Sequence, residues 1–310
     1  MVNDISAKKG QLLSGVLDSP SFLIILTAHK PLKRINTLLN SLMSYDSLPG
    51  SKDVYIFIDF ESKEDLSILE ETLNPNFETL NVNYVVAPAE YTGYSLTWAH
   101  KPFLKELSGS SAYDTYIYAE DDMLFTKDNY RYWVTYKPIL KTLGLEPGFC
   151  RYEVLNEKKV PFDNYRVWRL NGLTPSVWGS RPYKVESFNY LGSDSLIGFA
   201  SLGNPYAGLM VLDKSDLQEY IDSDSFDPVK SYALTRHRNW PIADRSSMGL
   251  AFENLKGDRE HRRVVPLEVK EAHVVPHVWG LVKHQDTKYS EALSKEEKQL
   301  ITTDSMFSLV

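Results

Sequence analysis

Three consecutive carboxylates, Glu120, Asp121 and Asp122, are the residues of this chain with the clearest capacity for chemistry. They come directly after a β-prone run at residues 115–119. Unpaired carboxylates are costly inside a buried strand, so we expect the cluster at the carboxyl end of a strand, where open α/β sheets bind ligands. Oxygen donors in that position suit Mg²⁺ or Mn²⁺, hard cations that often bridge to phosphates. A solvated acidic turn is the alternative.

Alternating apolar runs and amphipathic stretches predict the elements that position this cluster. We expect strands at 22–28, 54–59, 80–86 and 116–119, and helices at 31–42, 62–73 and 95–107. Strands at this spacing indicate βαβ units, and therefore an α/β fold with a mostly parallel central sheet flanked by helices. From about residue 150 the pattern loosens. Order returns with an apolar run at 207–212, a helix at 215–221 and a strand near 264–275.

Composition and charge narrow the class of protein. With 310 residues, 43% of them hydrophobic, the chain can bury a large core in one big α/β domain or two small ones. The net charge of −7 argues against nucleic acid as a partner. The single cysteine, Cys150, fits a reducing cytoplasm, and we expect it to be a small buried side chain. The apolar run at 22–26 is too short for a membrane span, so any membrane contact would be peripheral.

The order of these features resembles the GT-A glycosyltransferases, in which a nucleotide-binding βαβ half ends in an acidic cluster and an acceptor half follows. The Glu-Asp-Asp motif before an apolar residue is similar to that of the N-acetylglucosaminyltransferase-like members. The segment Leu26-Thr-Ala-His-Lys30 is similar to the family's opening strand, and Asp59 or Glu61 matches the acid that ends its second strand. The motif departs from a strict Asp-x-Asp. The absence of a Gly-rich phosphate loop from the sequence argues against Rossmann dehydrogenases and P-loop enzymes.

This resemblance implies one Rossmann-like GT-A domain over residues 1–310. A nucleotide-sugar half would occupy 20–125, an acceptor half 126–290, and a C-terminal helix or tail 291–310. The implied activity, in polysaccharide or other glycan biosynthesis, is metal-dependent transfer of a sugar from a nucleoside-diphosphate sugar. UDP is the default nucleotide and Mn²⁺ or Mg²⁺ the expected cofactor. A glycan, glycolipid or other hydroxyl acceptor would attack with inversion.

The resemblance also assigns residues to roles. The implied metal ligands are Glu120, Asp122, His277 and His284, with Asp122 as the direct ligand. The implied donor-contacting residues are Thr27, His29, Asp59, Tyr94, Lys101 and Asp121. An inverting enzyme needs a positioned carboxylate as general base, for which Asp244, at the head of a helical run, is the candidate and Glu253 the rival. Structural alternatives stay open: a helix cap or surface charge for Asp244, a hydrogen-bonded role for each histidine, and a solvated helix position for Lys101.

Two other classes of function remain open from the sequence. A sugar-1-phosphate nucleotidyltransferase has the same kind of fold, but normally carries a Gly-rich basic loop after its first strand, and the segment from His29 to Lys33 lacks the glycines. A non-catalytic carbohydrate-binding or assembly protein could retain the fold without the reaction. A metal-dependent phosphohydrolase is less well supported, because no second strand supplies an Asp-x-Asp pair. The sequence indicates neither the sugar nor the oligomeric state.

Overall fold

The computed structural model describes residues 19–59, 62–108, 113–142, 144–161, 185–189, 196–201, 208–235, 242–247, 263–266 and 280–286. Their strands are β1 (Ser21–His29), β2 (Ser51–Asp59), β3 (Leu80–Val86), β4 (Thr115–Glu120), β5 (Met123–Leu124), β6 (Glu146–Pro147), β7 (Cys150–Leu155), β8 (Lys158–Pro161), β9 (Val185–Asn189), β10 (Leu196–Ser201), β11 (Leu209–Leu212), β12 (Arg263–Pro266) and β13 (Leu281–His284). Their α-helices are α1 (Ile35–Asp46), α2 (Lys63–Leu73), α3 (Lys101–Ser108), α4 (Lys127–Thr142), α5 (Lys214–Asp222), α6 (Pro228–Thr235) and α7 (Ile242–Ser247). Short 3₁₀ segments lie at Pro31–Arg34, Asn74–Asn76 and Gly93–Trp98.

The chain divides into two compact units. Residues 18–127 and 208–260 form one, here called the parallel-sheet unit, and residues 1–17, 128–207 and 261–310 form the second unit. The segment 208–260, which the sequence places in the acceptor half, therefore belongs to the same unit as β1 to β4.

The parallel-sheet unit is built on a five-stranded sheet in the order β11-β4-β1-β2-β3. The pairs β1–β2, β1–β4 and β2–β3 are parallel, and only β11 runs antiparallel, along β4. The central strand β1 is an unbroken apolar run because both of its faces are covered, and Phe22 to Leu26 are at most 1% exposed. This arrangement confirms the predicted α/β fold with a mostly parallel central sheet.

The strand order reverses between β1 and β4. From β1 the chain adds β2 and β3 on one side, and then β4 on the other side of β1. In open α/β sheets such a reversal leaves a crevice at the carboxyl ends of the two central strands, where ligands bind. At the end of β1, Lys30 has a left-handed backbone (φ 51°), and Pro31 then starts a 3₁₀ turn that leads into α1. The chain thereby passes directly over this edge of the sheet.

Most predicted elements of the parallel-sheet unit are confirmed. β3 has the predicted bounds, and α2 begins at the expected Ser62 cap, whose hydroxyl accepts the Asp65 N–H at 3.3 Å. The single helix predicted at 95–107 is wrong, because a 3₁₀ segment ends at Trp98 and α3 begins at Lys101. The 3₁₀ segment begins at Gly93, earlier than the predicted helix, because the capping box of Thr92 and Ser95 fixes its first turn.

The second unit contains two groups of paired strands. β7 pairs in parallel with β13 and antiparallel with β8, while β12 pairs in parallel with β6 and antiparallel with β10, which in turn pairs with β9. Cys150 is fully buried, as predicted. The loosened sequence pattern after residue 150 conceals β7 to β10, since strands this short carry little periodicity. Of the strand predicted near 264–275, residues 263–266 form β12 and 267–275 lie outside the described residues.

None of the helices in the described ranges is long and apolar enough to span a lipid bilayer.

Candidate functional site

The acidic cluster lies at the point where the strand order reverses. Glu120 ends β4, and Asp121 and Asp122 form the turn after it. The Asp121 N–H donates to the Thr27 carbonyl of β1 at 3.1 Å, and the Ser41 hydroxyl of α1 donates to the Asp121 carbonyl at 2.7 Å. The predicted position at a strand's carboxyl end is therefore confirmed. Because Asp121 and Asp122 are only 2% and 6% exposed, the alternative of a solvated acidic turn is wrong for these two residues.

One arginine bridges the two buried aspartates. Arg34 Nη1 donates to Asp121 Oδ1 at 2.9 Å, and Nη2 donates to Asp122 Oδ2 at 2.8 Å. The planar fork of the guanidinium suits this geometry, since its two outer nitrogens reach two separate carboxylates at once. The left-handed turn at Lys30 and the following 3₁₀ segment bring Arg34 back over the end of β4.

Burial and the neighbouring carboxylate change the protonation of Asp121. Burial, followed by the neighbouring Asp122 charge, raises the pKa of Asp121 to about 8, although Arg34 opposes the rise. One guanidinium faces two buried carboxylates, with Glu120 beside them. In the described part of the chain, Asp121 Oδ2 is buried without a hydrogen-bond partner. Asp121 therefore offers a cation an oxygen that no described donor satisfies.

A second carboxylate marks the neighbouring strand end. Asp59 lies at the end of β2, and its carboxylate accepts four hydrogen bonds. The donors are His29 Nδ1 at 2.5 Å, the Lys30 N–H at 3.2 Å, the Thr92 hydroxyl at 3.2 Å and the Gly93 N–H at 3.0 Å. Burial alone would raise the pKa of Asp59, but these hydrogen bonds, led by that of Gly93, lower it. Asp59 is thus ionised at neutral pH. It ties the ends of β1 and β2 to the start of the 3₁₀ segment Gly93–Trp98.

The other predicted donor-contacting residues differ in exposure. Tyr94 is 81% exposed and lies one residue after Gly93, close in the chain to the Asp59 contacts. His29 is 44% exposed at its side chain, which leaves its ring accessible beside Asp59. Thr27 is only 5% exposed, and its hydroxyl lies 3.2 Å from that of Tyr118. The Thr27 side chain is therefore buried and is not part of the exposed surface of the site.

Lys101 lies in a different environment from the one predicted. The solvated helix position is wrong, because Lys101 is 3% exposed. Its ammonium lies 3.6 Å from the centroid of the Trp98 ring, with the rings of Tyr220 and Phe226 at 4.9 and 5.4 Å, and donates to the Ser225 carbonyl at 3.3 Å. Burial, together with the nearby Arg245 charge, lowers its pKa well below the usual value. Lys101 joins α3 to α5 and the loop after it.

Helix α7 carries the predicted general base. Asp244 lies within its bounds, but the Asp244 side chain, like the whole of Glu253, is outside the described residues. The helix is held from two elements. Trp98 Nε1 donates to the Ile242 carbonyl at 2.8 Å, and the Tyr220 hydroxyl donates to the Ser246 carbonyl at 2.7 Å. Because Trp98 ends the segment that begins at the Asp59 contacts, six residues of 3₁₀ structure connect α7 to Asp59.

The predicted histidine ligands belong to the C-terminal part of the chain. His277 lies outside the described residues. His284, in the second unit, is 4% exposed, and its Nδ1 lies 2.9 Å from Oε1 of the fully buried Glu153 on β7. Carboxylate contacts of this kind orient both structural and metal-binding histidines. The role of each histidine as a ligand stays a prediction.

The residues present fit a cation that brings further ligands with it. Across the residues that the structure describes, no group of three or more His, Cys, Asp or Glu side chains is placed to hold a metal ion. Mg²⁺, however, is commonly bound through one or two carboxylates, with water and substrate phosphates completing its shell. Asp121 and Asp122 supply that smaller donor set, and the unsatisfied Asp121 Oδ2 is the atom that a cation would satisfy.

Sequence reasoning missed Arg34 and the Thr92–Gly93 contacts with Asp59. The signal for Arg34 was a cation a few residues beyond the end of β1, because loops after parallel strands share one edge of the sheet. For Gly93, the signal was a glycine before a helical pattern. Gly93 has a φ of 56°, a backbone conformation that favours glycine, and its N–H donates a hydrogen bond to Asp59.

No protein-family model matches the sequence, and no curated protein matches it significantly. Solved structures do match. The Staphylococcus aureus TarS 1-349 structure aligns at 13% identity over 44% of this chain and 36% of that chain, with a TM-score of 0.28. The glycosyltransferase GlyE of Streptococcus pneumoniae TIGR4 aligns at 12% identity over 74% and 42%, with a TM-score of 0.33.

A third match is the galactosyltransferase LgtC in complex with donor and acceptor sugar analogs. It aligns at 9% identity over 90% of this chain and 97% of that chain, with a TM-score of 0.36. The chain thus spans less than half of the TarS and GlyE chains and nearly all of LgtC. At these TM-scores the matches carry no weight for the activity, which has to follow from the residues of the site.

Proposed function

We propose that the protein is a glycosyltransferase that takes its sugar from a nucleoside-diphosphate sugar. One observation carries this proposal: two buried aspartates, both bound by the Arg34 guanidinium, lie where the strand order reverses, and Asp59 ends the neighbouring strand. Carboxyl ends of parallel strands at such a reversal are where nucleotides bind in open α/β sheets. The acids suit the diphosphate with its cation, and the Asp59 cluster suits the nucleoside.

The Asp59 cluster supplies polar and aromatic groups for a nucleoside. Asp59 fixes the His29 ring, the Thr92 hydroxyl and the Gly93 N–H, and the exposed His29 and Thr92 side chains would contact a base or ribose. The exposed Tyr94 ring would pack against the base, since aromatic rings favour stacked contacts. UDP is the default nucleotide because the resembled class uses it most.

The acidic turn would hold the diphosphate end of the donor. Asp122 and Asp121 would bind Mg²⁺ or Mn²⁺, which as a Lewis acid neutralises charge on the departing diphosphate. The protein's own contribution is to keep both carboxylates buried and oriented through Ser41 and Arg34. Rigid placement of this kind is what transition-state stabilisation requires.

The acceptor hydroxyl must lose its proton as it attacks the sugar. Asp244 on α7 would take that proton, which implies inversion at the anomeric carbon. A glycan or glycolipid is the expected acceptor. The single buried thiol of Cys150 fits action in a reducing compartment such as the cytoplasm.

Donor binding tests the proposal. Nucleotide sugars that differ in base and sugar would be added to the protein with and without Mn²⁺, and the midpoint of thermal unfolding measured. Ligand that binds only the native state raises this midpoint by linkage. We expect a rise with at least one nucleotide sugar, dependent on Mn²⁺ and lost in Asp122→Asn. Asp224→Asn, which removes an exposed carboxylate paired with Lys230, is the matched control and should behave as wild type. A panel without any shift, or an equal shift in Asp122→Asn, would contradict the proposal.

A further inference from the structure

Arg34 is the more exposed partner of the ion pairs at the acidic turn. Its side chain is 36% exposed, whereas those of Asp121 and Asp122 are 3% and 8% exposed. The arginine thus borders the solvent-facing side of a carboxylate pair that is otherwise enclosed. A ligand that reaches these carboxylates from solvent meets the guanidinium on the way.

The charge of Arg34 acts in opposite directions on two ligands of the turn. A bare divalent cation is repelled by a guanidinium that already contacts both of its carboxylate ligands. A diphosphate that carries the cation has a net negative charge, and a guanidinium binds phosphate oxygens through short charge-assisted hydrogen bonds. The unsatisfied Asp121 Oδ2 keeps the turn receptive to a cation even while Arg34 is in place.

We propose that Arg34 makes the site select the cation–diphosphate complex over the bare cation. Without donor, the guanidinium holds Asp121 and Asp122 in place and weakens binding of free Mn²⁺ or Mg²⁺. When the cation arrives with a diphosphate, Arg34 keeps a carboxylate contact and donates to a phosphate oxygen. The cation and the donor therefore bind together rather than in sequence. This inference rests on the proposed function, because it takes the acidic turn as the diphosphate site.

The test compares Mn²⁺ alone with Mn²⁺ plus inorganic pyrophosphate, a probe that does not depend on the base or the sugar. Free Mn²⁺ is followed by electron paramagnetic resonance, and pyrophosphate binding in saturating Mn²⁺ by calorimetry. A charge within 4–6 Å shifts proton affinity by about one to three powers of ten, and it acts more strongly on a doubly charged ion. Arg34→Gln should therefore tighten binding of Mn²⁺ alone by at least about tenfold and weaken binding of pyrophosphate by about tenfold or more.

Two control variants separate charge from geometry. Lys33→Gln removes the exposed neighbouring charge and should leave both affinities unchanged. Arg34→Lys keeps the charge but lacks the planar fork that holds two carboxylates and a phosphate oxygen at separate nitrogens, so Mn²⁺ alone should bind as in wild type while pyrophosphate binds several-fold more weakly. If Arg34→Gln fails to fold, as judged by circular dichroism, Arg34→Lys carries the test.

The outcomes are distinct from those of the proposed function. If Arg34→Gln binds both Mn²⁺ alone and pyrophosphate more weakly, Arg34 only supports the turn. If both affinities are unchanged, Arg34 does not select between the two ligands. Either result overturns the inference. For Arg34→Lys, pyrophosphate affinity equal to that of wild type, or weaker binding of Mn²⁺ alone, also overturns it. A wild-type protein that binds neither Mn²⁺ nor pyrophosphate would overturn the proposed function as well. Tighter binding of Mn²⁺ alone together with weaker binding of pyrophosphate in Arg34→Gln supports the role of Arg34, whichever sugar is transferred.

Discussion

Replacing Asp121 with asparagine should stabilise the protein, and the gain should grow with pH. The pKa of Asp121 is raised from 3.8 to about 8 by burial and by Asp122. The folded state therefore holds a proton that the unfolded state has released, so stability falls as pH rises between these values. Over about 4 pH units, at about 1.4 kcal/mol per unit, the loss amounts to about 6 kcal/mol. Asparagine resembles the protonated acid and keeps an oxygen for Arg34, so the variant does not suffer this loss.

Urea unfolding between about pH 5 and pH 9 measures the difference between wild type and variant. Near pH 5, about one unit above the ordinary value of 3.8, Asp121→Asn should be about 1.5 kcal/mol more stable than wild type, and the difference should grow up to about pH 8. Asp59→Asn is the matched control of opposite sign. The pKa of Asp59 is lowered by its hydrogen bonds, so its stabilising contribution is present above pH 3.8 and is lost as pH falls through the lowered pKa. That variant should be less stable than wild type at neutral pH. Parallel pH profiles for wild type and Asp121→Asn would refute the account of an uncompensated carboxylate at the turn.

Three further predictions concern the frame around the site. Gly50→Ala should lower the free energy of unfolding in urea by more than about 2 kcal/mol, because its Cβ would lie 1.9 Å from the Pro20 carbonyl oxygen. Gly93→Ala has a similar positive φ but open space around its Cβ, and should lower it by about 1 kcal/mol. Lys101→Met should flatten the pH dependence of stability: burial lowers the pKa of Lys101, so the folded protein releases this proton at a lower pH than the unfolded chain, and wild-type stability rises between the lowered pKa and 10.5 by up to about 1.4 kcal/mol per pH unit. Trp98→Phe removes the hydrogen bond to the Ile242 carbonyl and should lower the free energy of unfolding by about 1 kcal/mol. Initial rates measured across donor concentrations should show a larger fall in turnover than in donor affinity.

Local sequence patterns predict the central strands of the parallel sheet well because β1 and β4 are buried on both faces, and their apolar runs reflect this burial. The edge strand β3 is only partly buried, but it too has the predicted bounds. The break between the 3₁₀ segment Gly93–Trp98 and α3 does not follow from local patterns. It depends on the contact of Gly93 with Asp59 and of Trp98 with the Ile242 carbonyl, more than a hundred residues further along the chain. Such long-range hydrogen bonds override local helix propensity.

The same distinction holds for the candidate site. The acidic cluster was predictable because carboxylates after a buried strand can be accommodated only at its end. Asp59, in contrast, was predicted from the resemblance to the acid that ends the family's second strand. The partnership of Arg34 with Asp121 and Asp122 was not, since it joins residues 87 and 88 positions apart through a left-handed turn at Lys30. The aromatic surroundings of Lys101 likewise come from distant segments, which is why an apparently solvated lysine is buried.

The most direct test of the central claim is a donor-turnover measurement. Nucleotide sugars would be incubated with the protein and Mn²⁺, and the released nucleoside diphosphate quantified, first with water and then with candidate glycan acceptors. The account predicts release of a nucleoside diphosphate that stops in excess chelator and in Asp122→Asn, with inverted anomeric configuration in the product read by proton NMR. Asp244→Asn should lower this turnover by about 10²–10⁴-fold without changing donor affinity. Absence of diphosphate release from every nucleotide sugar, or release that is equal in Asp122→Asn, would contradict the assignment of the acidic turn as a glycosyltransferase site.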